Sequence, residues 1–179
     1  KDSRWSALWK TSTRKAVFIG IGMSVFQQIT GINAILYYAP RIFQLAGYQE
    51  AQMATFVTML LGAVNVAMTF IALKLIDRLG RRPLLIVGLI GMSICLAILG
   101  YSFTSEQTGL LAVLALMGYI SFFAISLGPI AWLIISEIYP LGIRGRAMSA
   151  SIFVNWACNY LISLTFLSLI ALLGAGFTF

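Results

Sequence analysis

Five long stretches of this sequence carry no charged residue, and they constrain its fold more than any other feature. They cover residues 16–39, 53–73, 83–103, 107–136 and 147–179. An α-helix of about 20 apolar residues crosses the hydrocarbon core of a bilayer, which is about 30 Å thick. Each stretch is at least that long. The sequence therefore predicts an all-α fold, a polytopic bundle of transmembrane helices.

The low charge content excludes an ordinary soluble enzyme. Only 9% of the residues are charged and none is histidine, whereas soluble domains contain about 25% charged residues. No carboxylate or basic side chain lies well inside a span, so no acid–base pair indicates catalysis, and we predict that the chain is not an enzyme. Cys95 and Cys158 stand alone in apolar runs, which favours packing residues. We predict no metal site and no cofactor.

The interruptions between the apolar runs set the expected boundaries. We place spans at about 16–39, 53–75, 83–103, 109–138 and 147–170, with the start of a sixth at 176–179. Pro40 is expected to break the first span or to kink its end. Residues 107–136 would measure about 45 Å as one straight helix, so we predict a bend or break at Gly128-Pro129. Residues 1–15 are predicted as a juxtamembrane segment, either an interfacial helix with Trp5 and Trp9 on one side or a solvated basic linker.

The distribution of basic residues predicts an orientation. If residue 1 lies in the cytoplasm, residues 76–82 and 137–146 lie there too, and residues 40–52 and 104–109 lie outside. Of the 12 Lys and Arg residues, only Arg41 is then external, which is a strong positive-inside signal. The basic residues mark span ends rather than a nucleic-acid surface. We predict a multi-pass protein of the cell membrane, with the lipid bilayer as its surroundings.

Polar side chains in the middle of the first span point to a ligand. Gln27, Gln28 and Asn33 lie at a depth where an unpaired amide costs several kcal/mol, so they should face protein or water. We interpret them as a binding face for a polar, uncharged ligand; hydrogen bonds between helices are the alternative. On a straight helix Gln28 and Asn33 lie about 140° apart. Both contact one ligand only if it lies between them or if the helix is distorted near Gly31, where glycine permits this.

The fourth and fifth spans add candidate ligand contacts. Gly128-Pro129 and Gly31 are interruptions in corresponding members of two three-helix repeats, a pattern typical of a transporter's binding site. Trp132, one turn beyond, offers an apolar face and an N–H donor that suit a sugar; a lipid-facing position is the alternative. Asn155 and Asn159 share one helix face. With Asn65 they would complete an amide-lined pocket suited to hydroxyl groups.

Charged residues in two turns form a second candidate cluster. They are Asp77, Arg78, Arg81, Arg82, Glu137, Arg144 and Arg146. The positive-inside rule explains the arginines but not Asp77 and Glu137 at the ends of helices beside them. We interpret the cluster as a salt-bridge network that latches one side of the protein, and a static topology signal is the alternative.

These motifs together resemble the sugar porter family of the major facilitator superfamily, which includes facilitative glucose transporters and proton–xylose symporters. They stand in this sequence as Gln27-Gln28-x-x-Gly31-x-Asn33 with Tyr37-Tyr38, Asp77-Arg78-x-Gly80-Arg81-Arg82, Gly128-Pro129-x-x-Trp132 with Ser136-Glu137-x-x-Pro140 and Arg144-Gly145-Arg146, and Asn155-Trp156-x-x-Asn159. The resemblance implies the C-terminal six-helix half of a major facilitator fold, with the last helix truncated and the N-terminal half missing. Ala124 and Ala131, where many facilitative glucose transporters have Glu and Pro, look more like bacterial members.

The resemblance also implies roles for individual residues. Positions that bind sugar hydroxyls or line the cavity are Gln27, Gln28, Asn33, Asn65, Trp132, Asn155 and Asn159. Gating positions are Tyr37 and Tyr38 on the external side, with Gly31, Gly128 and Pro129 as flexible points. The charge network on the cytoplasmic side would be Asp77, Arg78, Arg82, Glu137 and Arg144.

The implied function is transport of a monosaccharide, a hexose or a pentose, by alternating access. The whole protein would be a proton symporter or a facilitative carrier. Any proton coupling would pass through the absent N-terminal half, where family symporters keep their coupling acid. A non-transporting sugar sensor and a carrier of another neutral polyol such as inositol are the alternatives. A channel is disfavoured, because the polar residues cluster at mid-depth.

Overall fold

The computed structural model describes residue 8 and residues 11–47, 50–105 and 109–179, and most of them are helical. The helices are α1 (Thr11–Ile29), α2 (Ile32–Leu45), α3 (Ala51–Leu79), α4 (Arg81–Thr104), α5 (Leu110–Ile125), α6 (Leu127–Ile138), α7 (Arg144–Leu173) and α8 (Ala175–Thr178). Helix α1 begins inside the segment predicted as juxtamembrane. Trp5 and Trp9 of that segment lie outside the described residues. No strand occurs in the described part, and the predicted all-α bundle is confirmed.

Five segments are long and apolar enough to cross a membrane. They are Thr13–Leu45, Gln52–Leu79, Arg81–Thr104, Leu110–Ile138 and Arg144–Leu173. Apolar side chains such as Phe18, Met59 and Leu164 are more than half exposed on the outside of the bundle. This is the surface that lipid or a further part of the protein would cover. Beyond Gly174, the short helix α8 turns back against α4, where Gly100 and Gly176 bring the two backbones close together.

The first span is broken at Gly31, where one of the two predicted arrangements of the amides places a distortion. Helix α1 ends at Ile29, and α2 begins at Ile32 after Gly31, which adopts a left-handed conformation with φ 77°. Thr30 Oγ donates to the carbonyl of Gln27 at 2.7 Å, and the N–H of Gly31 donates to the carbonyl of Gln28 at 2.9 Å. A residue with a Cβ atom pays a steric cost in this conformation, whereas glycine does not.

Of the two outcomes predicted at Pro40, a break or a kink, the break is wrong. Helix α2 continues through Pro40 to Leu45. A proline inside a helix removes one backbone hydrogen bond but leaves the later residues able to continue the ladder. Here Ile42 and Phe43 are completely buried beyond the proline, so packing stabilises the extra turn.

The fourth span is broken at Ser126, two residues before the predicted position. Helix α5 ends at Ile125, and α6 begins at Leu127. Pro129 is therefore in the first turn of α6, where its missing N–H leaves no intrahelical bond unmade. The carbonyl that its ring would crowd is that of Ile125, four residues earlier, so the break falls upstream of the proline.

Helix α5 belongs to the most buried of the five candidate spans. It packs against α3 and α4, while α1 packs against α7. Leu116, Tyr119 and Ile120 of α5 are completely buried. A second, smaller apolar cluster includes Val17, Tyr139 and Ala147. It lies at the end of the bundle that carries residues 76–82 and 137–146, called the basic end below.

Candidate functional site

The break in the first span brings two amides together that a straight helix would hold apart. Gln28 lies in the last turn of α1, and Asn33 lies in the first turn of α2. Across the break, Asn33 Nδ2 donates to Gln28 Oε1 at 2.9 Å. The left-handed Gly31 therefore has a direct consequence for side-chain chemistry.

Four side-chain amides form a hydrogen-bonded chain that runs in one direction. Asn33 donates to Gln28, and Gln28 Nε2 donates to Asn155 Oδ1 at 2.9 Å. Asn155 Nδ2 donates to Gln27 Oε1, also at 2.9 Å. Gln27 Nε2 donates to the carbonyls of Leu127 and Gly128 at 3.2 and 3.4 Å. The chain thus connects the break in the first span to the break in the fourth through a side chain of α7.

The two ends of this amide chain differ in what they leave free. Gln27 and Asn155 each direct their amide nitrogen at two protein acceptors, and those of Asn155 are Gln27 Oε1 and the carbonyl of Ser24, the latter at 3.3 Å. A side-chain amide has two N–H donors and two acceptor lone pairs. Among the described residues, Gln28 and Asn33 each use only one N–H. The unused hydrogen-bonding capacity therefore concentrates at Gln28 and Asn33.

The amide chain borders a cavity of about 230 Å³. Its lining combines amides with aromatic rings and consists of Gln27, Gln28, Ile32, Asn33, Phe123, Gly128, Trp132, Asn155 and Trp156. Pockets for drug-sized ligands measure about 300–1,000 Å³, so this cavity suits a smaller molecule. Hydrogen-bonding groups beside flat apolar faces match a compact ligand with both hydroxyl and C–H surface.

The structure brings together five of the seven predicted ligand residues. Gln27, Gln28, Asn33, Trp132 and Asn155 all line the cavity. The other two predicted residues, which do not line it, are Asn65 and Asn159. Asn65 Oδ1 lies 3.4 Å from Thr69 Oγ on α3, and Asn159 Nδ2 donates to Tyr37 Oη at 3.4 Å.

Two aromatic lining residues were missed by the sequence analysis. Trp156 follows Asn155 directly within the quoted motif, so its neighbour was the available signal. Phe123 lies in an uninterrupted apolar run. Nothing local distinguishes it from a packing residue, and it lies three residues before the break at Ser126.

The two tyrosines predicted as an external gate connect α2 to α7. Tyr38 Oη donates to the carbonyl of Ser163 at 3.1 Å, and its ring stacks on Phe166 with centroids 5.5 Å apart. Tyr37 is 55% exposed and accepts the bond from Asn159. These contacts hold α2 against α7 on the side of the cavity away from the basic end.

At the basic end, the charge pairing is narrower than predicted. Arg81 and Glu137 form a bidentate ion pair in which Arg81 Nη2 and Glu137 Oε1 are 2.7 Å apart. Arg81 is one of the seven clustered charges but not one of the five that the resemblance selected. Arg144 Nε donates to the carbonyl of Tyr139 at 3.2 Å. Within the described ranges, the exposed residues Asp77, Arg78 and Arg82 form no ion pair.

Tyr139 closes the same end of the bundle. Its hydroxyl lies 2.6 Å from Ser151 Oγ, and its ring packs over Gly20, where an added Cβ atom would overlap the hydroxyl. Burial raises the pKa of Tyr139, and the hydrogen bond with Ser151 opposes that rise in part. The phenol therefore stays neutral at physiological pH.

A second cavity, of about 820 Å³, opens toward the basic end. Its lining residues are Leu73, Ile76, Asp77, Gly80, Arg81, Pro129, Trp132, Leu133 and Ser136. Trp132 lines both cavities. The indole therefore lies between the amide-lined cavity and the basic end.

Comparisons with known proteins identify the family of this chain. A family profile described as "Sugar (and other) transporter" matches residues 1–179. The chain is 46% identical over 180 residues to D-xylose-proton symporter-like 2 of Arabidopsis thaliana, with 100% of the chain and 36% of the relative covered. It is 39% identical over 150 residues to the D-xylose-proton symporter of Escherichia coli K12, covering 84% of the chain and 30% of the relative. The galactose-proton symporter of the same strain is 39% identical over 184 residues, with 100% of the chain and 40% of the relative covered.

Solved structures show the same fold. The chain matches a double Trp mutant of XylE with a TM-score of 0.85 and 37% identity, covering 91% of the chain and 35% of that protein. It matches the proton:xylose symporter XylE bound to 6-bromo-6-deoxy-D-glucose with a TM-score of 0.84 and 36% identity, covering 97% of the chain and 39% of that protein. XylE is described there as a protein of the major facilitator superfamily. The chain spans roughly a third of the length of the relatives it matches.

Proposed function

This chain belongs to the sugar transporter family, and we propose that it lies in the C-terminal half of a protein that transports a monosaccharide by alternating access. The observation that carries the proposal is the cavity in which unused amide groups of Gln28 and Asn33 meet the indoles of Trp132 and Trp156. Neutral amides donate and accept hydrogen bonds without the desolvation cost of a charge. They therefore suit the hydroxyl groups of an uncharged sugar.

We assign different tasks to the two pairs of amides. Gln28 and Asn33 contact sugar hydroxyls, since they retain unused hydrogen-bonding capacity. Gln27 and Asn155 hold the first pair in place, since their donors are already directed at protein acceptors. Trp132 and Trp156 cover the C–H faces of the sugar ring. Asn65 and Asn159 stay predictions as ligand contacts.

Alternating access requires movement on both sides of the cavity. The basic end is cytoplasmic in this proposal, as its excess of Lys and Arg predicts, and the protein resides in the cell membrane. Toward that end the path passes Trp132, with Gly128 and Pro129 as flexible points. On the external side, Tyr37 and Tyr38 of α2 form the gate, and Gly31 is its hinge. An exposed ion pair such as Arg81–Glu137 is worth about 0–1 kcal/mol, so sugar binding can bias its opening.

We favour a proton symporter. The relatives described above are named as proton symporters for xylose or galactose, which makes these sugars the first candidates. In the described spans of this chain, no carboxylate lines the amide-lined cavity. The proton-binding group would therefore belong to the remainder of the transporter.

Transport by the intact protein in liposomes tests the proposal. Liposomes loaded with unlabelled D-xylose, D-galactose, D-glucose or myo-inositol should accumulate the same labelled compound transiently by counterflow. L-Glucose and protein-free liposomes are the controls. Uptake stimulated by an inward proton gradient supports symport, and uptake indifferent to it supports a facilitative carrier. Binding without counterflow would identify a sensor, and no binding of any of the four compounds would refute the proposed substrate class.

A further inference from the structure

The break in the first span leaves one backbone carbonyl that a side chain of another helix satisfies. Tyr119 Oη of α5 donates to the carbonyl oxygen of Thr30 at 2.7 Å. Within the described residues, no backbone N–H donates to that carbonyl. Tyr119 is completely buried, so water does not replace its hydroxyl without a rearrangement.

The carbonyl of Thr30 would have a different partner if the helix were continuous. In a continuous helix, Gly31 would be right-handed and the N–H of Ala34 would donate to the carbonyl of Thr30, four residues earlier. The broken form gives up this bond, and Tyr119 supplies a replacement. A buried carbonyl without a donor is costly. The Tyr119 hydroxyl therefore stabilises the broken form relative to the continuous one.

The break in turn decides whether the two ligand-facing amides can meet. On a continuous helix, Gln28 and Asn33 point about 140° apart. In the broken form they are hydrogen bonded to each other at 2.9 Å and border the same cavity. The conformation of residues 30–31 thus determines whether both amides face one ligand.

We propose that Tyr119 is a positioning residue for the sugar site: its hydroxyl holds the Thr30–Gly31 break open and thereby aligns Asn33 with Gln28. The tyrosine does not line the cavity and acts only through the backbone carbonyl of Thr30. The effect on sugar binding rests on the proposed function, whereas the effect on the break does not.

The first test measures the affinity of the intact transporter for D-xylose, D-galactose and D-glucose by calorimetry. Tyr119→Phe removes the hydroxyl and keeps the ring, and it should weaken binding about 5- to 150-fold, which corresponds to one unpaired buried acceptor. Gly31→Ala should act in the same direction, because it strains the left-handed conformation while the added Cβ meets nothing within 4 Å. Tyr101→Phe is the matched control, since Tyr101 lies on α4 and is 62% exposed. Unchanged affinity in Tyr119→Phe would overturn the proposal.

A double-mutant cycle separates positioning from general destabilisation. If Tyr119 acts by aligning Asn33, then Tyr119→Phe should change affinity less than twofold in a protein that already carries Asn33→Ala. Equal losses with and without Asn33→Ala would show that the hydroxyl acts elsewhere, and the proposal would be wrong.

A distance measurement without sugar distinguishes failure of this proposal from failure of the proposed function. Spin labels at exposed positions 19 on α1 and 45 on α2 report the angle at the break. They are placed in a background in which Cys95, Cys158 and every cysteine in the remainder of the intact transporter are replaced by alanine. A continuous helix would separate the two Cα atoms by about 39 Å, the upper limit for 26 residues. Tyr119→Phe and Gly31→Ala should both move the distance distribution toward this limit. An unchanged distribution would refute the role of Tyr119 at the break, whereas the expected shift without sugar binding would refute only the proposed substrate.

Discussion

The direction of the amide chain predicts that neighbouring glutamines have different functions. Gln27→Ala and Gln28→Ala remove the same side chain from adjacent positions of one helix turn. Both side chains are only 4% exposed, so general burial does not distinguish them. Gln28 lines the cavity and retains an unused N–H, whereas the amide nitrogen of Gln27 is directed at two carbonyls of the fourth span. We therefore expect Gln28→Ala to weaken sugar binding and Gln27→Ala to weaken the fold.

The size of each effect follows from which groups are left unpaired. Removal of Gln28 costs its bonds to Asn33 and Asn155 in the free and the bound protein alike, so these bonds largely cancel in the affinity. What remains is a sugar hydroxyl without its partner, worth about 1–3 kcal/mol or about 5- to 150-fold in the dissociation constant. Removal of Gln27 breaks bonds between helices, which are worth about 0.6–1.7 kcal/mol each in membrane proteins. It should lower the melting temperature and change affinity less than fivefold.

Calorimetric titration of the purified intact transporter, paired with thermal unfolding of the same samples, measures both quantities. The sugar is the member of the transport panel that binds wild type most tightly. Gln28→Ala should keep a melting temperature closer to that of wild type than Gln27→Ala does. Wild-type affinity in Gln28→Ala would refute its role as a ligand contact. An equal loss of affinity in both variants would refute the division of tasks along the amide chain.

Three further predictions concern the surroundings of the site. Gly88→Ala should destabilise the protein by about 1–3 kcal/mol in thermal or denaturant unfolding, because the added Cβ would overlap the side chain of Ser126 at the α5/α6 break. Gly62→Ala is the control and should be tolerated, because its added Cβ would meet nothing within 4 Å. Single substitutions Arg81→Glu and Glu137→Arg should each alter the transport rate, and the double exchange should restore it in part, since the ion pair is half exposed and salt-screened. Because burial raises the pKa of Tyr139, the contribution of this residue to stability should be complete below the ordinary tyrosine pKa of about 10 and decrease above it. Melting curves of wild type and Tyr139→Phe between pH 7 and 11 check this. A difference in melting temperature between the two proteins that varies between pH 7 and 9 would contradict it.

The spans were predictable because hydrophobic length is a local property. Counting uncharged residues between Arg82 and Glu106 or after Arg146 needs no knowledge of neighbouring helices. Helix ends were less predictable, because packing decides them. Pro40 weakens α2 locally, yet Ile42 and Phe43 are buried beyond it. No local sequence pattern predicts that burial.

The residue types that line the amide-lined cavity were predictable, but the hydrogen bonds between them were not. Amides at mid-depth indicate a polar site from sequence alone, since lipid penalises them wherever they lie. The angle between two side chains on a straight helix does not predict their contact when a left-handed residue such as Gly31 lies between them. The hydrogen bond between Asn33 and Gln28 was therefore not predictable from the sequence. The positions of Asn65, Asn159 and Trp156 depend in the same way on how α3 and α7 are rotated about their axes.

The observed amide chain shows that ligand binding and the joining of helices are not competing explanations for these residues. One end of the chain is anchored on the carbonyls of Leu127 and Gly128, next to the break in the fourth span. The other end, at Asn33, adjoins the break in the first span and retains unused polar groups. Hydrogen bonds in a chain polarise one another, most strongly where water is excluded. In the proposed function, a hydroxyl bound at the open end would therefore change the strength of the bonds that anchor α6, and this would give one ligand a physical means to act on both breaks at once.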